Sequence, residues 1–391
     1  MFLDGFAIGG YRSFGPEVQR IGPLKKINII IGKNNSGKSN ILSYLNNHLK
    51  HVLLSIQNGN AISSEGKFDK NLDKHRGSIN DHHLLGLALH LKDPLEKSLS
   101  YNLLHLIQEI DERNNYPIIY ETLDYFFQTS TFDCDSEDQY FKWLQFNSSE
   151  LNEVFELEMD YKELFEKLSE NKKKSPIVIL KGLCDAFVPP PQHPKDPTHM
   201  SRVILNKLIT SYFLKNINKL NITMIPAIRE IGDSKTEFNI REFNGKGLID
   251  ELDKLESPNT DIGEDNYVKN KMRFEKINKF LRSVIDNDSA KIEIPNPADK
   301  IQVVLDNKTL PLKSLGMGIH EVIIIAAAAT INENSIICLE EPEIHLHPLL
   351  QKKLIRYLGD YTNNQYFITT HSAHLLDTPD AAIFHIGNDN G

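Results

Sequence analysis

Apolar positions along this chain change their spacing twice, and each change marks a different kind of element. At the N-terminus short apolar runs alternate with turn residues, so residues 2–8, 17–21 and 27–31 read as strands, the last of them buried. Residues 40–45 follow as an amphipathic helix. Residues 55–80 are polar, rich in Gly, Asn and Ser and without a period, which predicts a long mobile loop, and residues 85–91 read as a further strand. From about residue 93 to 220 the spacing becomes helical: Leu151, Val154 and Phe155, then Leu164, Phe165 and Leu168, then Ile204, Leu208 and Tyr212. Pro189, Pro190, Pro191, Pro194 and Pro197 set a rigid loop inside this region. The short runs then return. Strands are predicted over residues 222–225, 291–294, 301–305, 309–312, 366–370 and 382–386, with Asp306 and Asn307 as a turn. Helices are predicted near 248–255 and along Phe274, Ile277, Leu281 and Val284. The longest apolar run, residues 322–329, is far shorter than the ~20 residues of a membrane span and predicts a buried helix.

This order predicts an α/β protein in three parts: residues 1–92, a mostly helical insertion over 93–220, and a resumed α/β half over 221–391. A length of 391 residues accommodates it without staples. Formal charge of −9 removes the global basic field of a protein that coats nucleic acid, so any DNA contact needs a local patch or a partner. Lys172, Lys173 and Lys174 form the one notable basic run and read as a solvated loop. Cys134, Cys184 and Cys338 are scattered with no CxxC, as expected of reduced thiols in a cytoplasmic protein and not of a structural zinc site. No signal pattern opens the chain, no internal repeat is evident, and no periodic stretch sustains the heptads of an extended coiled coil.

Candidate chemistry begins at Gly32-Lys33-Asn34-Asn35-Ser36-Gly37-Lys38-Ser39, a full match to GxxxxGK[ST] placed between the buried strand and the helix. Such a loop, from Gly32, Asn34, Asn35, Ser36 and Gly37 into Lys38, Ser39 and Asn40, presents backbone N–H groups at a helix N-terminus, where an anion is favoured. Lys38 would reach the β- and γ-phosphates of ATP, and the Ser39 hydroxyl would take one Mg²⁺ position. Arg12, in the turn segment of residues 10–15, is either a nucleotide contact or a surface arginine on a β-turn. Residues 335–341 then read as an apolar strand ending in two acids: Glu340 would bind Mg²⁺ directly or through water, and Glu341 would orient and deprotonate the attacking water. Gly316 and Gly318 open the helix of residues 319–331, a second helix N-terminus suited to an anion, and His371 ends a strand where an imidazole could reach a γ-phosphate. His345 and His347 imitate a metal pair, yet no third ligand is suggested, and a loop that meets its counterpart across a dimer is the favoured reading.

The order of glycine turn, acid-ended strand, helix and histidine-ended strand resembles the ABC-type ATPase head. In detail the chain resembles the ATPase part of the OLD (overcoming lysogenization defect) family, within the RecF/SMC-like branch found in antiphage systems such as retron- and Septu-type effectors. The residues that carry the likeness are GKNNSGKSN (32–40), IPAIRE (225–230), FNGKGLIDEL (243–252), LGMGIHE (315–321), LEEPEIHLHP (339–348) and ITTHSAHLL (368–376). The resemblance implies a P-loop head with a parallel-core sheet and an antiparallel β lobe. It also implies a homodimer that closes two heads over ATP and Mg²⁺, a helical insertion that binds a twin or a partner, and control of a separate nuclease or effector, with nucleic acid reached through the complex. Two departures stand out. Gly316 occupies the position where the family's signature serine carries its hydroxyl, which predicts slow hydrolysis. The family's nucleases carry a Toprim domain after the head, which is not found before residue 391, so the nuclease is expected either as a separate polypeptide or in a longer version of this chain, and nuclease activity is not expected from this chain alone. The alternatives are a RecF-like repair ATPase that binds DNA directly and a nucleotide sensor without turnover.

Overall fold

The structure, a computed structural model, describes residues 3–58, 61–76, 83–90, 141–148, 156–157, 220–232, 237–259, 261 and 263–387. In chain order, β1 (Gly5–Gly9) and β2 (Gln19–Ile21) precede β3 (Ile27–Gly32), which leads into α1 (Lys38–Tyr44), a π-helical turn (Leu45–Leu49) and α2 (Lys50–Asn58). β4 (His83–His90), β5 (Phe141–Ser148) and β6 (Glu156–Leu157) come next, then β7 (Ile222–Ile225), α3 (Leu248–Glu256) and α4 (Glu264–Ile285). The remainder is β8 (Lys291–Glu293), β9 (Gln302–Leu305), β10 (Lys308–Pro311), α5 (Met317–Ile331), β11 (Ile336–Glu340), α6 (Pro348–Tyr361), β12 (Gln365–Thr369) and β13 (Ala382–Ile386).

The chain divides into two compact units. One comprises Met1–Phe2, Leu24–Asn47 and Leu220–Gly391, the other Leu3–Pro23 and His48–Lys219. The N-terminal 92 residues are thus shared between the two units.

In the first unit, β13-β3-β12-β11-β7 form a five-stranded sheet, parallel throughout. Parallel sheets are covered on both faces, which is why INIIIG, IICLE and QYFIT carry almost no polar alternation. The predicted buried helix is α5, whose Val322, Ile323, Ile324 and Ile325 are all sealed from solvent. Full burial of such side chains contributes about 1.5–3 kcal/mol each. Their core includes Phe274, Ile277 and Leu281 of α4, Leu354 and Leu358 of α6, and Ile29, Leu339 and Ile368 of the sheet. A smaller antiparallel sheet, β10-β9-β8, turns at Asp306 and Asn307, both left-handed at φ 48° and 63° as a tight hairpin requires.

In the second unit the sheet is β2-β1-β4-β5-β6, antiparallel throughout. Here two expectations need correction. The insertion over residues 93–220 was expected to be mostly helical, and among its described residues 141–148 instead form β5, an eight-residue strand paired along the whole of β4, with Trp143 and Phe146 buried. Cross-strand pairing over that length outweighs local spacing. The helical periods at Leu151, Val154, Phe155, Leu164, Phe165, Leu168, Ile204, Leu208 and Tyr212, and the proline loop, lie outside the described residues. The second correction concerns residues 55–80. α2 runs on to Asn58, and residues 61–76 are folded around the buried Ile62 and Phe68. Phe68 stacks on His48 with ring centroids 4.1 Å apart, and Asp69 closes its own turn by accepting from the backbone N–H groups of Asn71 and Leu72. Among the described residues no helix is long and apolar enough to cross a membrane.

Candidate functional site

The loop between β3 and α1 is shaped by two residues in left-handed conformations, Asn35 at φ 65° and Gly37 at φ 102°. A Cβ disfavours the second value strongly, so Gly37, the N-cap of α1, is required where it stands. Asn40 donates its backbone N–H to the Gly37 carbonyl at 3.0 Å, which starts the helix with its earlier N–H groups turned to the loop. Lys38 is buried, and its Nζ donates to the carbonyls of Gly32 and Lys33, each at 2.9 Å. The ammonium is therefore folded back over the loop that it would share with a phosphate. Ser36 is buried and its Oγ has no hydrogen-bond partner among the described residues. A buried hydroxyl without a partner costs about 1–3 kcal/mol; here it marks a place where an anion would complete the loop. Asn34, Asn35 and Ser39 are exposed, with Ser39 in the first turn of α1.

Sheet register brings the other candidates to the same edge. Thr369 of β12 pairs with Ile30 of β3 on one side and with Glu340 of β11 on the other. The phosphate loop, the acids and His371 therefore leave three adjacent strands at their carboxyl ends, spread over about 10 Å at ~4.8 Å per strand. That edge is where ligands of open α/β sheets bind. Glu340 accepts from the Ala227 backbone N–H at 3.4 Å through Oε2. Glu341 is left-handed at φ 42°, a conformation that costs a non-glycine residue on the order of 1–3 kcal/mol and that concentrates at active sites. Its backbone N–H donates to the Thr369 carbonyl at 2.9 Å, and its Oε1 lies 3.7 Å from His371 Nε2. His371 is held in turn by its backbone N–H, which donates to Glu343 Oε1 at 2.6 Å.

What holds the turn at Glu341 is a residue to which the sequence assigned no role. Arg229, just beyond β7, is buried and donates to the carbonyls of Pro226, Glu340 and Glu341 while its Nε pairs with Glu321 of α5. Burial pushes the Glu321 carboxyl above its ordinary value, and the Arg229 guanidinium opposes that push. The only sequence signal was the string IPAIRE, whose arginine lies 111 and 112 residues from the carbonyls it takes.

The glycine turn at the start of α5 is fixed by its own chain. His320 donates from Nε2 to the Leu312 carbonyl at 2.9 Å. A Cβ on Gly318 would lie 2.8 Å from the His345 carbonyl oxygen, so this position needs glycine for close packing whatever else it does. Gly316 is the exposed N-cap of α5, and a Cβ there would meet nothing within 4 Å. His347 caps α6 by accepting from the Leu349 N–H at 3.4 Å, and His345 sits left-handed and exposed at φ 61°. Arg12 belongs to the second unit, where its Nε donates to Asp73 Oδ1 at 2.9 Å. Cys338 is buried in β11, and burial pushes its thiol up and leaves it inert.

A family model described as AAA ATPase domain matches residues 1–376. The chain is 24% identical over 448 residues to endonuclease GajA of Bacillus cereus (strain HuB5-5), an alignment that takes in 99% of this chain and 60% of that protein. It therefore spans about three fifths of the relative's length. An SMC head bound to the C-winged helix domain of ScpA superposes with a TM-score of 0.44 at 12% identity, covering 96% of this chain and 91% of the other. The SMC head domain from Thermotoga maritima gives 0.39 at 11% identity over the same shares.

Proposed function

Because the chain belongs to the AAA ATPase domain family, we propose that it binds ATP with Mg²⁺ at the carboxyl edge of its parallel sheet and hydrolyses it there, between two copies of the chain. The observation that carries this reading is the meeting of an ammonium folded over loop carbonyls, a buried hydroxyl without a partner and a carboxylate 3.7 Å from an imidazole on three adjacent strands.

The donor set fits the substrate. Lys38 exchanges the carbonyls of Gly32 and Lys33 for phosphate oxygens, and the N–H groups at the start of α1 face the same anion. Ser39 and Glu340 are the residues that would hold Mg²⁺, which when bound would supply neutralisation of phosphate charge. Glu341 takes a proton from water as the water oxygen attacks the γ-phosphorus and the bond to ADP breaks. His371, beside Glu341, donates to a γ-phosphate oxygen. The exposed N-terminus of α5 at Gly316 supplies further donors to the nucleotide of a second copy. ATP then favours the closed pair because that state alone gives it donors from both chains. The output is control of a separate nuclease or effector in phage defence. Support for that comes from the OLD-like motifs and from the likeness to endonuclease GajA, of which the chain covers 60%.

Phosphate release from Mg·ATP, nucleotide affinity and sedimentation test the reading together. Lys38→Ala should lose nucleotide binding, and Glu341→Gln should bind ATP, release little phosphate and sediment as a dimer. Unaltered binding by Lys38→Ala, or a Glu341→Gln monomer under saturating ATP, would overturn it.

A further inference from the structure

The guanidinium of Arg229 joins three elements that the chemistry above treats separately. Its Nε reaches Glu321 on α5, its Nη1 donates to the carbonyls of Pro226 at 2.9 Å and Glu340 at 2.8 Å, and its Nη2 donates to the carbonyl of Glu341 at 3.2 Å. Successive carbonyls of an extended strand point to opposite sides. One planar group can therefore take both Glu340 and Glu341 only where the backbone turns between them, and Glu341 does turn, at φ 42°. Lysine, a point charge on a flexible stem, does not reproduce this fork. At its far end Arg229 is anchored by Glu321, which lies one turn along α5 from the glycines at its N-terminus.

Resting on the ATPase reading above, we propose that Arg229 is a positioning residue for hydrolysis. It holds the left-handed turn that carries the Glu341 carboxylate to His371, and Glu321 ties that turn to the helix that opens at Gly316. A movement of the glycine turn against a second copy is thereby transmitted to the carboxylate through one side chain. Turnover depends on the fork of Arg229, whereas nucleotide binding, which belongs to the loop at Gly32–Ser39, does not.

Two variants separate this from a merely structural ion pair: Arg229→Lys, which keeps the charge and loses the fork, and the double variant R229M/E321M, which removes both charges so that neither is left buried alone. Affinity is read with a fluorescent ATP analogue, kcat and KM from phosphate release, and folding from circular dichroism. A carboxylate displaced by about 1 Å loses up to roughly 100-fold in rate, so kcat should fall about 10- to 100-fold while affinity and KM stay within about twofold. If the double variant does not fold, Arg229→Lys carries the test. Wild-type kcat in a folded variant would overturn the proposal, as would a parallel loss of affinity and kcat. Failure of the ATPase reading looks different: the wild-type protein itself would release no more phosphate than Lys38→Ala.

Discussion

Removing Arg229 alone should cost far more stability than removing it together with Glu321. The two side chains are sealed from solvent, at 0% and 2% exposure. In Arg229→Met the Glu321 carboxylate stays buried without its counter-charge, which costs about 3–5 kcal/mol. The carbonyls of Pro226, Glu340 and Glu341 lose the same donors in R229M and in R229M/E321M, so the difference between the two variants isolates Glu321. At about 2–4 °C per kcal/mol, the single variant should unfold roughly 6–20 °C below the double. The gap carries a pH signature. Burial already raises the Glu321 carboxyl above 4.5 against the pull of Arg229, and loss of the arginine raises it further. Between 4.5 and that raised value the native state holds a proton that the unfolded chain has released, so the single variant is favoured at low pH and loses stability as pH rises through the folded value. Thermal unfolding of both variants at pH 5 and pH 8 measures this. Equal midpoints at pH 8, or a gap that does not narrow at pH 5, would refute the account of Arg229 and Glu321 as a sealed pair.

The remaining predictions concern other parts of the chain. Gly318→Val drives a side chain against the His345 carbonyl oxygen, 2.8 Å from the Cβ, and should lower the urea unfolding free energy by about 1–3 kcal/mol. Gly316→Ser meets open space and adds a good N-cap to α5, so stability should hold or rise by a few tenths of a kcal/mol, while phosphate release should increase. Unchanged turnover would refute the expectation that the missing hydroxyl slows hydrolysis. Burial pushes the His48 imidazole below 6.5, opposed by its bond to the Gly66 carbonyl and by Asp73, while Arg12 and His51 push the same way as burial. The unfolded chain therefore takes up a proton that the native state refuses, and stability should fall as pH drops from 6.5 toward the lowered value. Unfolding midpoints between pH 8 and 5 should show that decline, and His48→Gln should flatten it.

Much of the first unit was legible because its signals are local and mutually consistent. The apolar run of residues 322–329 admitted only a buried helix, and α5 is buried along it. Asp306 and Asn307 tolerate left-handed backbone and made the hairpin readable. The phosphate-loop pattern fixed both its flanking elements. β5 was missed because its strand character comes from pairing with β4, more than fifty residues earlier, and not from its own spacing. Residues 55–80 were expected to be loose because polar content suggests solvation, whereas Asp69 spends its carboxylate on a local turn and Asp73 divides its own between the Asp69 N–H and the distant Arg12. At the candidate site the residue types were readable and the restraints were not. Nothing near Glu341 announces φ 42°, and nothing near Arg229 names the distant carbonyls that it takes. For Gly318 the sequence offered an anion contact, while the structure adds a packing demand at His345 that would by itself call for glycine.

β3 lies between β12 and β13, so the strand that leads into the phosphate loop is walled by segments about 350 residues further along. During synthesis at about 5–20 residues per second, that strand waits roughly 20–70 s for both neighbours to leave the ribosome. Through that interval INIIIG is a naked apolar ribbon with open edges. A newborn molecule accordingly has no complete sheet edge beside residues 32–39 until β13 is made, and chaperone demand should be set by residues 27–32 more than by the far longer stretch that separates them from β12.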